Sequence, residues 1–395
     1  MVFSKKPLQF ILATLVACLP LFSSANPTGD TTTVVAETAH AVEAKGHGNE
    51  AETANLTEEQ KADLERKAHI KHHLMDSHDF SLFTYGGEEH PTHVGFPLPV
   101  ILWDGGLHVF SSSKFEHGEA VAESNGNFYK INHHDGLVYK TDAQGNFNED
   151  AKGHVTNVKP IDFSITKSVF MILIVGIMML FLFRGLGKSY NKNGSIAKGA
   201  GRFFEPIILY IRDDIAIPNI GEKHYKKYMS FLLTIFFFIW FLNMFGLTPL
   251  GVNITGNLAI TASLALITYL ITTFTAKKDY WGHIFWMPGV PVLMKFVLAP
   301  IELLGTIIKP FSLMIRLYAN MVAGHIVLMS LIALMYTFNS PIGSPLSFFL
   351  AFVLSLLEIL VALLQAYIFT MLAALYFGAA VEEHHHDEQH EAAHH

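Results

Sequence analysis

The sequence predicts an all-α polytopic membrane protein with about five membrane-embedded helices, a surface amphipathic helix and a small β-rich extramembrane segment. Three observations predict it. The chain of 395 residues is 51% hydrophobic and 15% charged, with 32 Phe, whereas soluble domains carry roughly 25% charged residues. The apolar residues gather into runs long enough to cross a bilayer. Between residues 80 and 160, by contrast, short alternating runs are broken by Gly, Asn and Asp, as in small hairpins. The formal net charge of −7 decides less than where the charges lie.

Residues 1–25 read as an export signal. Lys5 and Lys6 precede "LQFILATLVACLPLF", and "SSA" ending at Ala25 offers small residues for cleavage. Lipidation at Cys18 and a retained anchor are the other two readings of this stretch. Cys18 is the only cysteine, so no internal disulfide forms. Residues 26–160 are then an extramembrane extension: a linker rich in Ala, Glu, Thr and His, helical around "TEEQKADLERKAHIKHHL", followed by the hairpin region. Residues 1–160 hold 13 of the 22 His without a strong ligand spacing, so neither a metal nor a cofactor is assigned.

The membrane domain is placed at 161–380. Spans are expected at 168–183, 229–250 and 257–276. Two longer apolar stretches, 292–336 and 346–380, exceed the roughly 20 residues of a perpendicular span. They are expected to be tilted or kinked, with Pro300 and Pro310 available to bend the first. Nine Lys and Arg between the first two spans, from Arg184 to Lys227, face only Glu205, Asp213, Asp214 and Glu222. That excess puts this loop in the cytoplasm and the extension in the periplasm. "RFFEPIILYIRDDI" within the loop resembles a helix lying on the membrane surface. The His- and Glu-rich tail, 381–395, is expected to be disordered and cytoplasmic.

Polar residues inside the long stretches carry the functional signal. Glu302, Lys309 and Arg316 recur every seven residues, within about 40° on a helix of about 100° per residue, and Asn320 joins them one turn on. His325 points to the opposite side, while Glu358 and Gln365 repeat the spacing of seven in the last stretch. Titratable groups in a membrane interior mark ion pathways, and His relays protons near neutral pH. Arg does not deprotonate, so Arg316 suits a gate or the partner of a moving anion. No GxxxxGK[ST] loop is present, so nucleotide chemistry belongs to partners. A free-standing transporter would show inverted repeats, which are not seen. A purely structural membrane protein would not need Arg316.

These residues carry a resemblance. "KPFSLMIRLYANMVAGH", with Glu302 fourteen residues before Arg316, the later "LLEILVALLQAYIF" and the earlier "FLNMFGLTP" resemble subunit a of the F-type ATP synthase, over about 160–380. The resemblance implies a non-catalytic stator subunit in a bacterial inner membrane, working against a ring of c subunits, with b subunits and a soluble catalytic head as partners. It involves no nucleic acid. It implies that Arg316 faces the ring carboxylate, that Asn320 and Gln365 are polar positions near it, and that Asn243 belongs to the outer half-channel. One departure is informative. The family pair that is Glu after the motif glycine and His seven before the Gln appears here as His325 and Glu358, exchanged. The exchange implies that the two side chains meet on one pathway. The choice of H⁺ or Na⁺ would lie with the ring carboxylate, which is on another chain.

Overall fold

A computed structural model describes residues 76–85, 92–133, 135–150, 155–192, 199, 201–248, 254–286, 291–337 and 343–381. The expected signal, most of the linker and the tail lie outside the described residues. The extramembrane part consists of three small antiparallel sheets. β1 (Asp79–Tyr85) pairs with β2 (Thr92–Pro97), with a register shift between Ser81 and Phe83. β3 (Pro99–Trp103) lies between β4 (Leu107–Ser111) and β8 (Ile161–Asp162). β5 (Ala122–Ser124), β6 (Asn127–Ile131) and β7 (Val138–Thr141) form the third. Alternation fixes the inner faces: Val100 and Leu102 of β3 and Phe110 of β4 join Phe115, Tyr129 and Val138 in one core.

This unit is fastened to the first membrane helix, α1 (Lys167–Lys192). The Lys167 N–H donates to the Ser77 carbonyl at 2.9 Å, and the Ser168 N–H donates to the Asp76 carboxylate at 3.2 Å. The helix therefore begins with two of its otherwise orphaned donors satisfied. Buried His78 meets Asp162 at 3.0 Å. Burial alone pushes the His78 imidazole down, but the Asp162 hydrogen bond and the charges of Asp162, Asp76 and Asp79 outweigh it and hold it above its ordinary value. Phe170 of α1 sets its ring against Phe80 and Phe96, with centroids 5.4 and 5.2 Å away.

Among the described residues five helices are long and apolar enough to cross a membrane, as the sequence predicts. α1 runs on past Arg184, Gly185 and Gly187, well beyond the apolar run that located it. α2 (Gly201–Tyr210) continues through a π-helical turn, Ile211–Ala216, into α3 (Ile217–Ile220). This is the segment read as a surface helix, and its second half departs from that reading. Ile211, Ile215, Ala216 and Ile220 are buried in one apolar cluster with Phe369, Ala373 and Phe377. Its apolar stripe packs on protein because the last helix offers small and aromatic residues there. α4 (Tyr225–Gly246) and α5 (Leu258–Thr275) come next, α5 capped by the Asn257 side chain accepting from the Ala259 N–H at 3.0 Å. The short α6 (Lys278–Phe285) had no counterpart in the sequence reading, because eight residues are too few for a clear period. α7 (Val292–Thr337) has 46 residues and passes through Pro300 and Pro310, while α8 (Gly343–Val381) has 39. At 1.5 Å per residue α7 is about 69 Å long, more than twice a hydrocarbon core of about 30 Å, and it stays one helix through both prolines.

The fit between α8 and α3 is tight enough to test. A Cβ placed on Gly378 would lie 1.9 Å from the Asn219 carbonyl oxygen, a backbone atom that cannot swing away. Gly378→Ala is expected to cost about 1–3 kcal/mol, as overpacking does. Gly282→Ala, whose Cβ would meet nothing within 4 Å, should be neutral. Thermal unfolding of the purified chain checks this; equal melting of the two variants would refute the tight fit.

Candidate functional site

α7 and α8 lie antiparallel and meet in polar rungs. Lys309 of α7 places its ammonium 5.9 Å from the Tyr376 ring of α8. Asn320 Nδ2 donates to Gln365 Oε1 at 2.9 Å. His325 Nδ1 lies 3.2 Å from Glu358 Oε1, and both side chains are buried. Stepping eleven and then five residues up α7 steps eleven and then seven down α8, as facing antiparallel helices require. The side of each helix that faces its partner is thus polar at intervals. Outward faces stay apolar: Leu304, Ile308 and Phe311 on α7 and Phe352, Leu356 and Leu360 on α8 are all exposed.

Arg316 stands between the Lys309 and Asn320 rungs and is exposed. Among the described residues no carboxylate pairs with it, and it lies within electrostatic reach of the Tyr376 hydroxyl. An arginine at bilayer depth costs at least roughly 2.5–3.5 kcal/mol. The arrangement therefore presents a permanent cation, at the edge of an apolar wall, to whatever lies alongside. Glu302 is half-buried about 21 Å along the same helix, fourteen residues away at 1.5 Å each, and lies within reach of Tyr280 of α6.

The buried Asn243 of α4 accepts a 2.7 Å hydrogen bond from Thr255, ahead of α5. That pair is separate from the His325–Glu358 rung, and no described hydrogen bond joins them. The structure thus brings His325 to Glu358 and Asn320 to Gln365. It leaves Glu302, Arg316 and Asn243 each apart from the other named positions.

Sequence reasoning also missed a set of neutral groups. A small opening lies where α5, α6, α7 and α8 converge, lined by Thr268, Thr272, Tyr280, Thr306, Lys309 and Tyr376 among others. Thr268 and Thr272 donate to the carbonyls four residues back, at 2.9 and 2.8 Å, which leaves their oxygens able to accept. The signal was available: two buried threonines four residues apart on an apolar helix share one face.

A family model described as ATP synthase A chain matches residues 169–378. A second, described as a domain of unknown function (DUF8433), matches residues 69–163. The chain is 42% identical over 227 residues to ATP synthase subunit a of Chloroherpeton thalassium, covering 56% of this chain and 67% of that protein. It is 40% identical over 242 residues to ATP synthase subunit a 2 of Chlorobaculum tepidum, covering 59% and 68%. Against ATP synthase subunit a of Myxococcus xanthus it is 41% identical over 228 residues, covering 56% and 74%.

Proposed function

The chain belongs to the ATP synthase A chain family, and from that premise we propose that it is the proton-channel stator subunit of the membrane sector, with Arg316 as the charge that separates two half-channels. It is a multi-pass membrane protein of the ATP synthase complex. The observation that carries the finer reading is Arg316, exposed on the α7–α8 wall with no carboxylate partner among the described residues. A c-ring carboxylate passing along that wall supplies the missing anion.

On this reading residues 161–380 form the channel, the basic loop after α1 lies in the cytoplasm, and residues 26–160 face the periplasm. Protons enter past Asn243 and Thr255 and reach the His325–Glu358 rung, where a carboxylate and an imidazole in contact exchange a proton. Asn320 and Gln365 position the last stage beside Arg316. The proton neutralises a ring carboxylate, which then tolerates lipid. On the other side, the Arg316 guanidinium stabilises the returning carboxylate as an anion and so draws its proton off. The opening lined by Thr268, Thr272, Tyr280 and Lys309, with Glu302 beyond, carries that proton to the cytoplasm. Because Arg does not deprotonate, it also blocks direct passage between the two paths. The driving free energy is about 2.3 kcal/mol per charge per 100 mV. The chain itself performs no nucleotide chemistry.

Affinity purification through a tag on this chain tests the assignment. We expect the c ring, the b subunits and an ATP-hydrolysing head to arrive with it, and inverted vesicles to acidify on ATP addition without added sodium. A chain that purifies without a nucleotide-hydrolysing partner sinks the proposal.

A further inference from the structure

The sheet β4–β3–β8 has one face that its own domain does not cover. Register places Leu107, Trp103 and Ile161 opposite one another across the three strands. One pleat nearer the helix, Val109 stands opposite Ile101, and the Phe163 N–H donates to the Ile101 carbonyl at 2.8 Å. Side chains on one face recur every second residue, so these six form a two-by-three apolar tile. Five of them are between 43% and 57% exposed. A contiguous patch of this kind on an extramembrane unit marks a docking surface.

The chain itself indicates the occupant. From Phe163 only four residues lead to Lys167, the start of a helix that crosses the membrane, a path of at most about 13 Å at 3.3 Å per residue. β3 descends with it, since the Ile165 N–H donates to the Pro99 carbonyl at 3.1 Å. The helix start is bonded to Ser77 and Asp76 and clasped by Phe80 and Phe96, so the sheet is held at the bilayer surface and does not swing away from it. The tile carries no charge and offers a tryptophan, the residue most suited to the headgroup boundary. Lys159, exposed just before β8, adds a cation at the level of the phosphates.

We infer that the outer face of this sheet docks on the lipid headgroup region and lays the extramembrane unit down beside α1. Docking requires only that α1 span the bilayer, so it stands apart from the proton path.

Cys18 is the only cysteine, so a Cys18→Ser background takes single nitroxide labels. Leu107→Cys, Val109→Cys and Ile161→Cys probe the tile, and Gln144→Cys, in an exposed turn of the same unit, is the control. All four positions are exposed, so labelling leaves the packed core intact, and three separate tile positions guard against one misfolded variant. The full chain is reconstituted in vesicles of phosphatidylcholine and phosphatidylglycerol. Collision with oxygen relative to a water-soluble nickel chelate is expected to be several-fold higher at the tile than at the control. Equal ratios mean the tile sits in water and overturn the inference. Exclusion of both probes at the tile means protein covers it, either a second copy or a partner, and overturns it equally.

Discussion

Arg316→Ala is expected to abolish coupled ATP synthesis and ATP-driven proton pumping together. In the proposed mechanism Arg316 stabilises the ring carboxylate as an anion, and its removal leaves only Lys309, two turns away on the same helix face, as a misplaced substitute. On the same reading its loss opens a direct route between the Asn320–Gln365 rung and the opening around Lys309. Arg316→Lys is expected to be severely impaired as well. Lys retains a cation but lacks the planar fork, and it deprotonates when desolvated. Acidification of inverted vesicles, with membrane-bound hydrolysis as the assembly control, reads both. Normal pumping by the Lys variant would contradict the assigned role of Arg316.

The second large effect concerns His325 and Glu358. The two side chains touch at 3.2 Å in a buried setting. α7 approaches closely here, since a Cβ on Gly324 would lie 2.8 Å from Glu358 Oε1. His325→Ala or Glu358→Ala removes one half of the proposed relay and leaves the other half buried without its partner, a cost of about 1–3 kcal/mol before any transport is counted. Each single change is therefore expected to slow proton flux strongly. The double exchange His325→Glu with Glu358→His restores both chemistries in one contact and should recover part of the flux. Contacting residues couple by about 0.5–3 kcal/mol, so the recovery is a measurable non-additivity. Pumping rates of His325→Glu, Glu358→His and their combination, set against the unchanged chain, decide it. A double exchange as impaired as the two single exchanges combined means the residues serve no common pathway.

Much of this was legible in the sequence. The spans were found because lipid demands long apolar runs, and Glu302, Lys309 and Arg316 stood out because charge in such runs is costly. That His325 would meet Glu358 was expected from an exchange of residue types, and the contact is present. What escaped notice lacked a comparable penalty. Thr268, Thr272 and Thr306 are ordinary in a membrane helix, since each hydroxyl returns a hydrogen bond to its own backbone. Burial of Ile211 and Ile215 was not foreseen, because an amphipathic stripe does not reveal whether lipid or α8 will cover it. α1 outran its apolar run because a helix does not stop at the membrane surface.

The junction at His78 and Asp162 has a consequence for engineering. Asp76 and Ser77 of the β-rich unit are hydrogen-bonded to the Ser168 and Lys167 N–H groups that open α1. Among the described residues every membrane-length helix follows this junction. The unit can therefore be exchanged there without altering the register of any described span. The separate family boundaries, 69–163 for the unit and 169–378 for the channel, meet at that seam. A remodelled extramembrane face is therefore expected to leave the His325–Glu358 and Asn320–Gln365 rungs of the α7–α8 wall where they are.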